Sequence, residues 1–299
     1  MPKVYRHLFF MFFCLPLLLI GQTNTDFGWQ GKSTTFNAFI DGYSFSFEND
    51  LYHISGNRIF KITDSDDGSQ YEREDLGYPI FFNDDGQNSA DGRVYNALFT
   101  SDGKLYVLYR SGRVWENGSL NLSIYNADKT LASNVLLDPN IGKGSAVGYN
   151  NPTNYVLLKD GNQTSYVYYK KDNQLIQRSG SNFDQTTIID PSFSGNFVAD
   201  SFEVNGTTEF YFSVSTSSSV ALKKLTPGNA SLTAVGTFDT NSVYDVSTMQ
   251  LHNYQNIFYL VYLKGGNAYA SKYDISNSGS TTFLGSPTPS SAIHLSSAL

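Results

Sequence analysis

The chain has 299 residues, a formal net charge of −7 and a single cysteine, and 16% of its residues are charged. An acidic chain without a basic cluster is not expected to bind nucleic acid or anionic membrane surfaces. The 22 Phe and 21 Tyr suit half-buried strands, and the Gly, Asn and Asp residues suit turns, so the composition favours an all-β fold.

The first 21 residues have the features of a secretory signal peptide. Lys3 and Arg6 supply positive charge, an apolar run containing Cys14 covers residues 8–20, and the small residue Gly21 follows. The run is shorter than the about 20 apolar residues that a membrane span needs, so we expect cleavage rather than insertion. We predict a secreted mature chain, with an uncleaved membrane anchor as the alternative.

After a short leader over residues 22–32, residues 33–299 repeat one pattern five times. Each repeat has an alternating strand, a polar turn and a second strand entered at an aromatic residue. These hairpins cover residues 45–52, 98–106, 157–166, 202–211 and 249–259. Asp-Gly and Asn-Gly at the turns are hairpin signals because these residues tolerate positive φ.

Two further short strands follow each hairpin, for example over residues 120–125 and 131–137, or 220–225 and 232–238. Four strands per repeat are typical of a β-propeller blade, which buries its two faces by stacking on its neighbours. We therefore predict a β-propeller of five complete four-stranded antiparallel blades. The fourth strands often end in an apolar residue followed by aspartate, at Asp138, Asp190 and Asp239.

One aromatic residue occupies the same position in each predicted second strand: Tyr52, Tyr106, Tyr166, Tyr211 and Tyr259. These tyrosines are predicted to pack between blades, with a ring of ligand contacts as the alternative.

Both ends of the chain resemble single blade strands, because residues 31–36 resemble 279–283 and residues 292–299 resemble 245–251. We predict partial sixth-blade strands at both termini and a domain that continues in a longer protein. The alternative is a closed five-bladed ring with tails.

Residues 99–108, Phe-Thr-Ser-Asp-Gly-Lys-Leu-Tyr-Val-Leu, resemble the strand–turn–strand core of secreted bacterial β-propellers. In pattern the resemblance covers about residues 33–299, and it implies the propeller fold and an extracellular or cell-surface location. It does not select a family among propellers. Residues 64–71 resemble a sialidase-type Asp-box but lack its leading Ser and closing Trp.

Motifs for catalysis and cofactors are scarce. After signal cleavage the chain keeps His53, His252 and His294, one in each of three repeats, and no cysteine, which argues against a His/Cys metal site. His53 is predicted to lie in a strand and His252 at a hairpin turn, both as structural or solvated residues. No Gly-x-Ser-x-Gly motif occurs. We expect no cofactor other than a possible Ca²⁺ ion. Asp64, Asp66 and Asp67 are weak Ca²⁺ candidates because oxygen-rich loops can bind this ion, although solvated turns are the alternative.

In a propeller, the loops between strands two and three emerge on the same face as the loops between blades. Three long loops are predicted on that face, over residues 83–92, 110–118 and 138–151, and we call this surface the loop face. Long loops on a rigid scaffold are where binding residues concentrate. The predicted ligand-binding residues are Asp84, Asp85, Asp91, Arg110, Arg113, Trp115, Tyr149 and Asn150.

Trp115 beside Arg113 suits stacking on a sugar ring or anchoring a protein partner, and the alternative is that it fills the gap between blades.

The first functional hypothesis is a non-catalytic binding module for a glycan or a protein. The second is a secreted propeller enzyme such as a glycosidase, lyase or lactonase, and the third is a structural spacer in a larger surface protein. The sequence makes no prediction of the oligomeric state.

Overall fold

The computed structural model describes residues 42–47, 50–55, 58–64, 71–78, 92–112, 117–142, 153–204, 206–244, 246, 248–254, 256–264, 267–276 and 279–285. Over these ranges the chain forms twenty β-strands and no helix. No helix long and apolar enough to cross a membrane therefore occurs among the described residues.

The strands form five antiparallel sheets of four, each in chain order. Blade 1 contains β1 (Gly42–Phe47), β2 (Asp50–Ser55), β3 (Arg58–Asp64) and β4 (Tyr71–Asp75). Blade 2 contains β5 (Gly92–Phe99), β6 (Leu105–Ser111), β7 (Ser119–Tyr125) and β8 (Leu131–Asp138). Blade 3 contains β9 (Tyr155–Lys159), β10 (Ser165–Lys171), β11 (Gln174–Ser179) and β12 (Gln185–Asp190). Blade 4 contains β13 (Asn196–Val204), β14 (Thr207–Ser215), β15 (Val220–Leu225) and β16 (Thr233–Thr237). Blade 5 contains β17 (Thr248–Tyr254), β18 (Ile257–Lys264), β19 (Asn267–Asp274) and β20 (Ser280–Gly285).

The first strands of successive blades lie side by side, β1 next to β5, β5 next to β9, β9 next to β13 and β13 next to β17. The first strand of each blade is therefore the inner strand, and the fourth is the outer strand. This architecture is a five-bladed β-propeller, as predicted. The predicted sixth-blade strands at residues 31–36 and 292–299 lie outside the described residues.

The hydrophobic core lies between blades, because side chains alternate between the two faces of each strand. Four core clusters join the five blades in succession. Between blades 4 and 5, for example, Val198 and Leu222 pack with Leu251 and Leu260, all at most 5% exposed. Each blade thus buries its apolar faces against its neighbours rather than within itself.

The tyrosines that recur in the second strands contribute to this packing in four of the blades. Their rings contact aromatic rings of the next blade: Tyr52 with Phe99 at 4.9 Å, Tyr106 with Phe183 at 6.4 Å, Tyr166 with Phe210 at 5.4 Å and Tyr211 with Phe258 at 4.5 Å between centroids. Aromatic pairs at such distances add to the stability that area burial alone provides. The prediction that these tyrosines pack between blades is confirmed for Tyr52, Tyr106, Tyr166 and Tyr211, and for Tyr259 it stays a prediction.

Aspartates at the ends of the outer strands close a turn at the exit of four blades. In each, Oδ1 accepts a hydrogen bond from the backbone N–H two residues on: Asp75 from Gly77, Asp138 from Asn140, Asp190 from Ser192 and Asp239 from Asn241, at 2.8–3.0 Å. This Asx turn ends the strand and starts the return towards the next inner strand. The sequence pattern had identified three of the four, and Asp75 was missed.

Candidate functional site

Two of the loop-face segments are joined by backbone hydrogen bonds. The Gly118 N–H donates to the Gly142 carbonyl at 3.1 Å, and the Ile141 N–H donates to the Gly118 carbonyl at 2.8 Å. Gly118 ends the loop between the second and third strands of blade 2, and residues 141–142 follow its outer strand. The prediction that these two kinds of loop emerge on the same face is confirmed for this blade.

Arg110 lies beneath this junction and is only 1% exposed. It was predicted to begin the loop, but β6 continues through it because it pairs with Arg93 on one side and Leu120 on the other. Its Nη1 donates to the Gly142 carbonyl at 2.9 Å, and its guanidinium lies where a side chain at position 118 would have to be. Arg110 therefore contacts the described ends of both loops, and its predicted contact with a ligand stays a prediction.

An ion pair lies between blades 2 and 3, at the end of the outer strand of blade 2. Both carboxylate oxygens of Asp138 accept from Lys171 Nζ at 2.8 Å, and Oδ2 also accepts from the Tyr169 hydroxyl at 3.2 Å. The Asp138 side chain is 7% exposed. Arg178 Nη2 donates to the Leu137 carbonyl at 2.6 Å, so a second cation binds the same strand end. The base of the loop face is thus fixed by charge-assisted hydrogen bonds between two blades.

The other predicted ligand-binding residues, Asp84, Asp85, Asp91, Arg113, Trp115, Tyr149 and Asn150, lie outside the described residues. The same holds for the Ca²⁺ candidates Asp66 and Asp67, whereas Asp64 is the last residue of β3 and pairs with Tyr71. Among the described residues no group of three or more His, Cys, Asp or Glu side chains is arranged to hold a metal ion. The Ca²⁺ site stays a prediction.

A second group of polar residues, not identified from the sequence, lies on the inner strands of blades 4 and 5. Asp200 on β13 accepts from the Ser201 N–H at 2.8 Å, and its Oδ2 accepts from the N–H of Asn253 on β17 at 3.1 Å. Burial raises the pKa of Asp200 to about 6, although both backbone hydrogen bonds act to lower it. The carboxyl of Asp200 therefore changes charge close to neutral pH.

Three side-chain atoms of β17 are buried without a hydrogen-bond partner: Gln250 Oε1, His252 Nε2 and Asn253 Nδ2. Leaving such a group unsatisfied typically costs about 1–3 kcal/mol. Burial lowers the pKa of His252 to about 4, so its imidazole is neutral at pH 7. The prediction that His252 lies at a hairpin turn is wrong, because β17 continues to Tyr254.

No protein-family model matches the chain, and no curated protein matches it. Among solved structures the chain is similar to a glucose dehydrogenase, with a TM-score of 0.52 and 8% identity over 83% of this chain and 87% of that one. It is also similar to a thermostable family-43 glycoside hydrolase (TM-score 0.46, 14% identity, 84% and 95% of the two chains). A third similar structure is an oligogalacturonate lyase in complex with manganese (TM-score 0.48, 8% identity, over 86% of this chain and 67% of that one). Such likeness concerns the fold alone, and the chain is a β-propeller by architecture.

Proposed function

We propose that this protein is an exported, non-catalytic binding module that engages a glycan or a protein ligand through its loop face. The observation that carries the proposal is the junction of Arg110, Gly118 and Gly142, which joins one described end of each of two long predicted loops. Loops whose ends are fixed on a rigid scaffold lose less conformational entropy on binding than free loops do. The signal-peptide features of residues 1–21 support export.

Trp115→Ala tests this proposal. If Trp115 is the aromatic anchor of the loop face, its removal is expected to weaken ligand binding by about 30-fold, which corresponds to about 2 kcal/mol for an aromatic hot spot. Ligands are found on an array of neutral and acidic oligosaccharides and by protein pull-down, and affinity is then measured by calorimetry.

Trp29→Ala is the matched control, because Trp29 is the other tryptophan and precedes the propeller domain. Both variants are expected to keep the thermal stability of the unaltered protein. Equal affinities for Trp115→Ala and the unaltered chain would remove the loop face as the binding surface.

A propeller enzyme is the second candidate, and Asp200 is the observation that favours it. A carboxyl with a pKa of about 6 is suited to general acid–base catalysis near neutral pH. Glycoside cleavage commonly needs two carboxyl groups, whereas the described hydrogen bonds of Asp200 join it to backbone amides of Ser201 and Asn253. We therefore place this candidate second.

The enzyme candidate is tested by assaying polysaccharide and lactone cleavage. We expect no turnover above background for the unaltered protein. Turnover that disappears in Asp200→Asn would favour catalysis at the inner strands, and turnover that disappears in the Asp84→Asn, Asp85→Asn double variant would favour catalysis at the loop face. Asp190→Asn serves as the control because Asp190 lies on an outer strand.

A further inference from the structure

We propose that blades 5 and 1 do not close directly on each other, and that residues 292–299 of this chain dock on blade 5 as a sixth inner strand. Inner strands are neighbours at the four other junctions between blades. In contrast, β17 of blade 5 and β1 of blade 1, both of which are described, do not lie side by side. The ring of described blades is therefore open at this one junction.

The hydrophobic core has the same break. Its four clusters join blade 1 to 2, 2 to 3, 3 to 4 and 4 to 5, and none of the clusters formed by described residues joins blade 5 to blade 1. A blade buries its apolar faces only by stacking on a neighbour. Blade 5 and blade 1 therefore each have one face that the five described blades leave without a packing partner.

The face of blade 5 that is turned away from blade 4 carries Gln250, Val261 and Ala270, and we call it the gap face. Met249 and Leu251 belong to the core between blades 4 and 5. Gln250 lies between them in β17, so its side chain is on the opposite face of the strand. Val261 is directly opposite Gln250 in the register, and Ala270 is directly opposite Val261, so all three share this face.

The gap face is covered, although no described blade packs on it. Val261 is 5% exposed and Ala270 is 7% exposed, yet neither belongs to a core cluster of described residues. The same holds on the open side of blade 1 for Ile62, which is 6% exposed and lies on the opposite face from Ile59 of the blade 1–2 core. Apolar side chains are kept from water by contact with other side chains. The cover must therefore come from another part of the chain.

Residues 286–299 are in the right place to supply that cover, and they lie outside the described residues. They follow Gly285 at the end of β20, the outer strand of blade 5. Between blades 3 and 4, residues 191–195 are enough to lead from an outer strand to the next inner strand. Residues 286–291 can make the same connection, which brings residues 292–299 to the position of a sixth inner strand.

The sequence of residues 292–299 suits a strand with one apolar face. Ile293, Leu295 and Leu299 are separated by odd numbers of residues, so a period of two places them on one side. The segment contains no Asp, Glu, Lys or Arg, so its burial does not require the desolvation of a charged side chain. An uncharged strand with an apolar side is the kind of partner that the gap face fits.

Thiol labelling tests the docking in the full chain. Cys14 is the only cysteine, so Leu295→Cys in a Cys14→Ser background carries one thiol, whose rate of reaction with a maleimide reports its burial. Leu131→Cys is the matched control, because Leu131 is a strand leucine that is 47% exposed. The thiol at position 295 is expected to react about tenfold more slowly, since a docked strand reacts only when it opens. Ile293→Cys is expected to behave in the same way.

A second substitution shows where the segment docks. Val261→Ala removes apolar volume from the gap face and is expected to accelerate labelling at position 295 by about tenfold. Val107→Ala is the matched control, because Val107 is also a buried valine of a second strand but lies between blades 1 and 2. It is expected to lower the melting temperature by a similar amount and to leave labelling at position 295 unchanged.

Three results would overturn the proposal. Equal labelling rates at positions 295 and 131 would mean that the segment does not dock and that blade 5 closes directly on blade 1. Equal effects of Val261→Ala and Val107→Ala on labelling would place the segment away from the gap face. Protection that disappears when the protein is diluted would assign the cover to a second copy of the chain. None of these measurements involves a ligand, so their outcome is independent of the function proposed for the loop face.

Discussion

Asp138→Ala is expected to lower the free energy of unfolding by about 3 kcal/mol, because it removes the carboxylate from a buried charge pair. Lys171 would lose its only described carboxylate partner, and the Tyr169 hydroxyl would lose its acceptor. The Asx turn at Asn140 would also lose its side-chain oxygen. The 30% exposure of the Lys171 side chain keeps the loss at the lower end of the range for buried pairs.

Asp190→Ala is the matched control for this prediction. Asp190 closes the same turn in blade 3, but its described hydrogen bonds go only to Ser192. Its replacement is expected to lower the unfolding free energy by about 1 kcal/mol, the typical value for one hydrogen bond. Urea unfolding of both variants measures the difference. Equal losses would show that the turn, rather than the charge pair, determines stability at the blade 2–3 junction.

A second large effect is expected from Asp200 and His252, whose shifted pKa values oppose each other. The pKa of Asp200 is raised to about 6, so its buried carboxylate destabilises the fold above that pH and the penalty disappears as the pH falls towards 4. The pKa of His252 is lowered to about 4, so its imidazole carries no ionisation penalty at pH 7, whereas between pH 6.5 and 4 the unfolded state binds a proton that the folded state does not, and stability falls. The two slopes largely cancel in the unaltered protein.

Single substitutions separate the two contributions. Asp200→Asn is expected to be more stable than the unaltered protein at pH 7, by up to about 3 kcal/mol, and equally stable at pH 4. His252→Gln is expected to be equally stable at pH 7 and more stable at pH 4 by a similar amount. Chemical unfolding from pH 4 to 7.5 measures both. Variants whose stability differs from that of the unaltered chain by the same amount at every pH would contradict the assignment.

Strand positions are predictable from the sequence wherever alternation and turn chemistry agree. The pattern predicts a third strand over residues 220–225, and β15 spans Val220–Leu225. It predicts a fourth strand over residues 131–137, and β8 spans Leu131–Asp138. Both signals are local, since a period of two and a turn residue are read within a few positions.

His252 illustrates where local reasoning fails. Its hairpin turn has no glycine, and the described turn residue Asn256 has a positive φ of 67°. An asparagine in that conformation marks a turn as well as glycine does, but several asparagines and glutamines nearby give the sequence more than one position for it. The turn was therefore predicted too early, and the histidine was assigned to it as a structural or solvated residue.

The contact between Asp200 and Asn253 could not be predicted at all. The two residues are 53 positions apart, and they meet only because β13 and β17 are neighbours in the ring at one particular offset. Alternation predicts which face of β13 carries Asp200. It does not predict which residue of β17 in the next blade lies beside Asp200. The loop face shows the opposite case, since its position follows from strand order alone and only its chemistry needs the coordinates.

Among the described residues, every sheet consists of four strands that follow one another along the chain. Hydrogen-bonded neighbours are therefore close in sequence, and closing each hairpin requires little loop entropy. Chains with such short-range pairing fold faster than β-sandwiches, whose pairs are distant in sequence. A nascent chain can form the hairpins of blade 1 before blade 2 has left the ribosome and pack them when blade 2 follows, so assembly is expected to run from the N-terminal blade towards the C-terminal one.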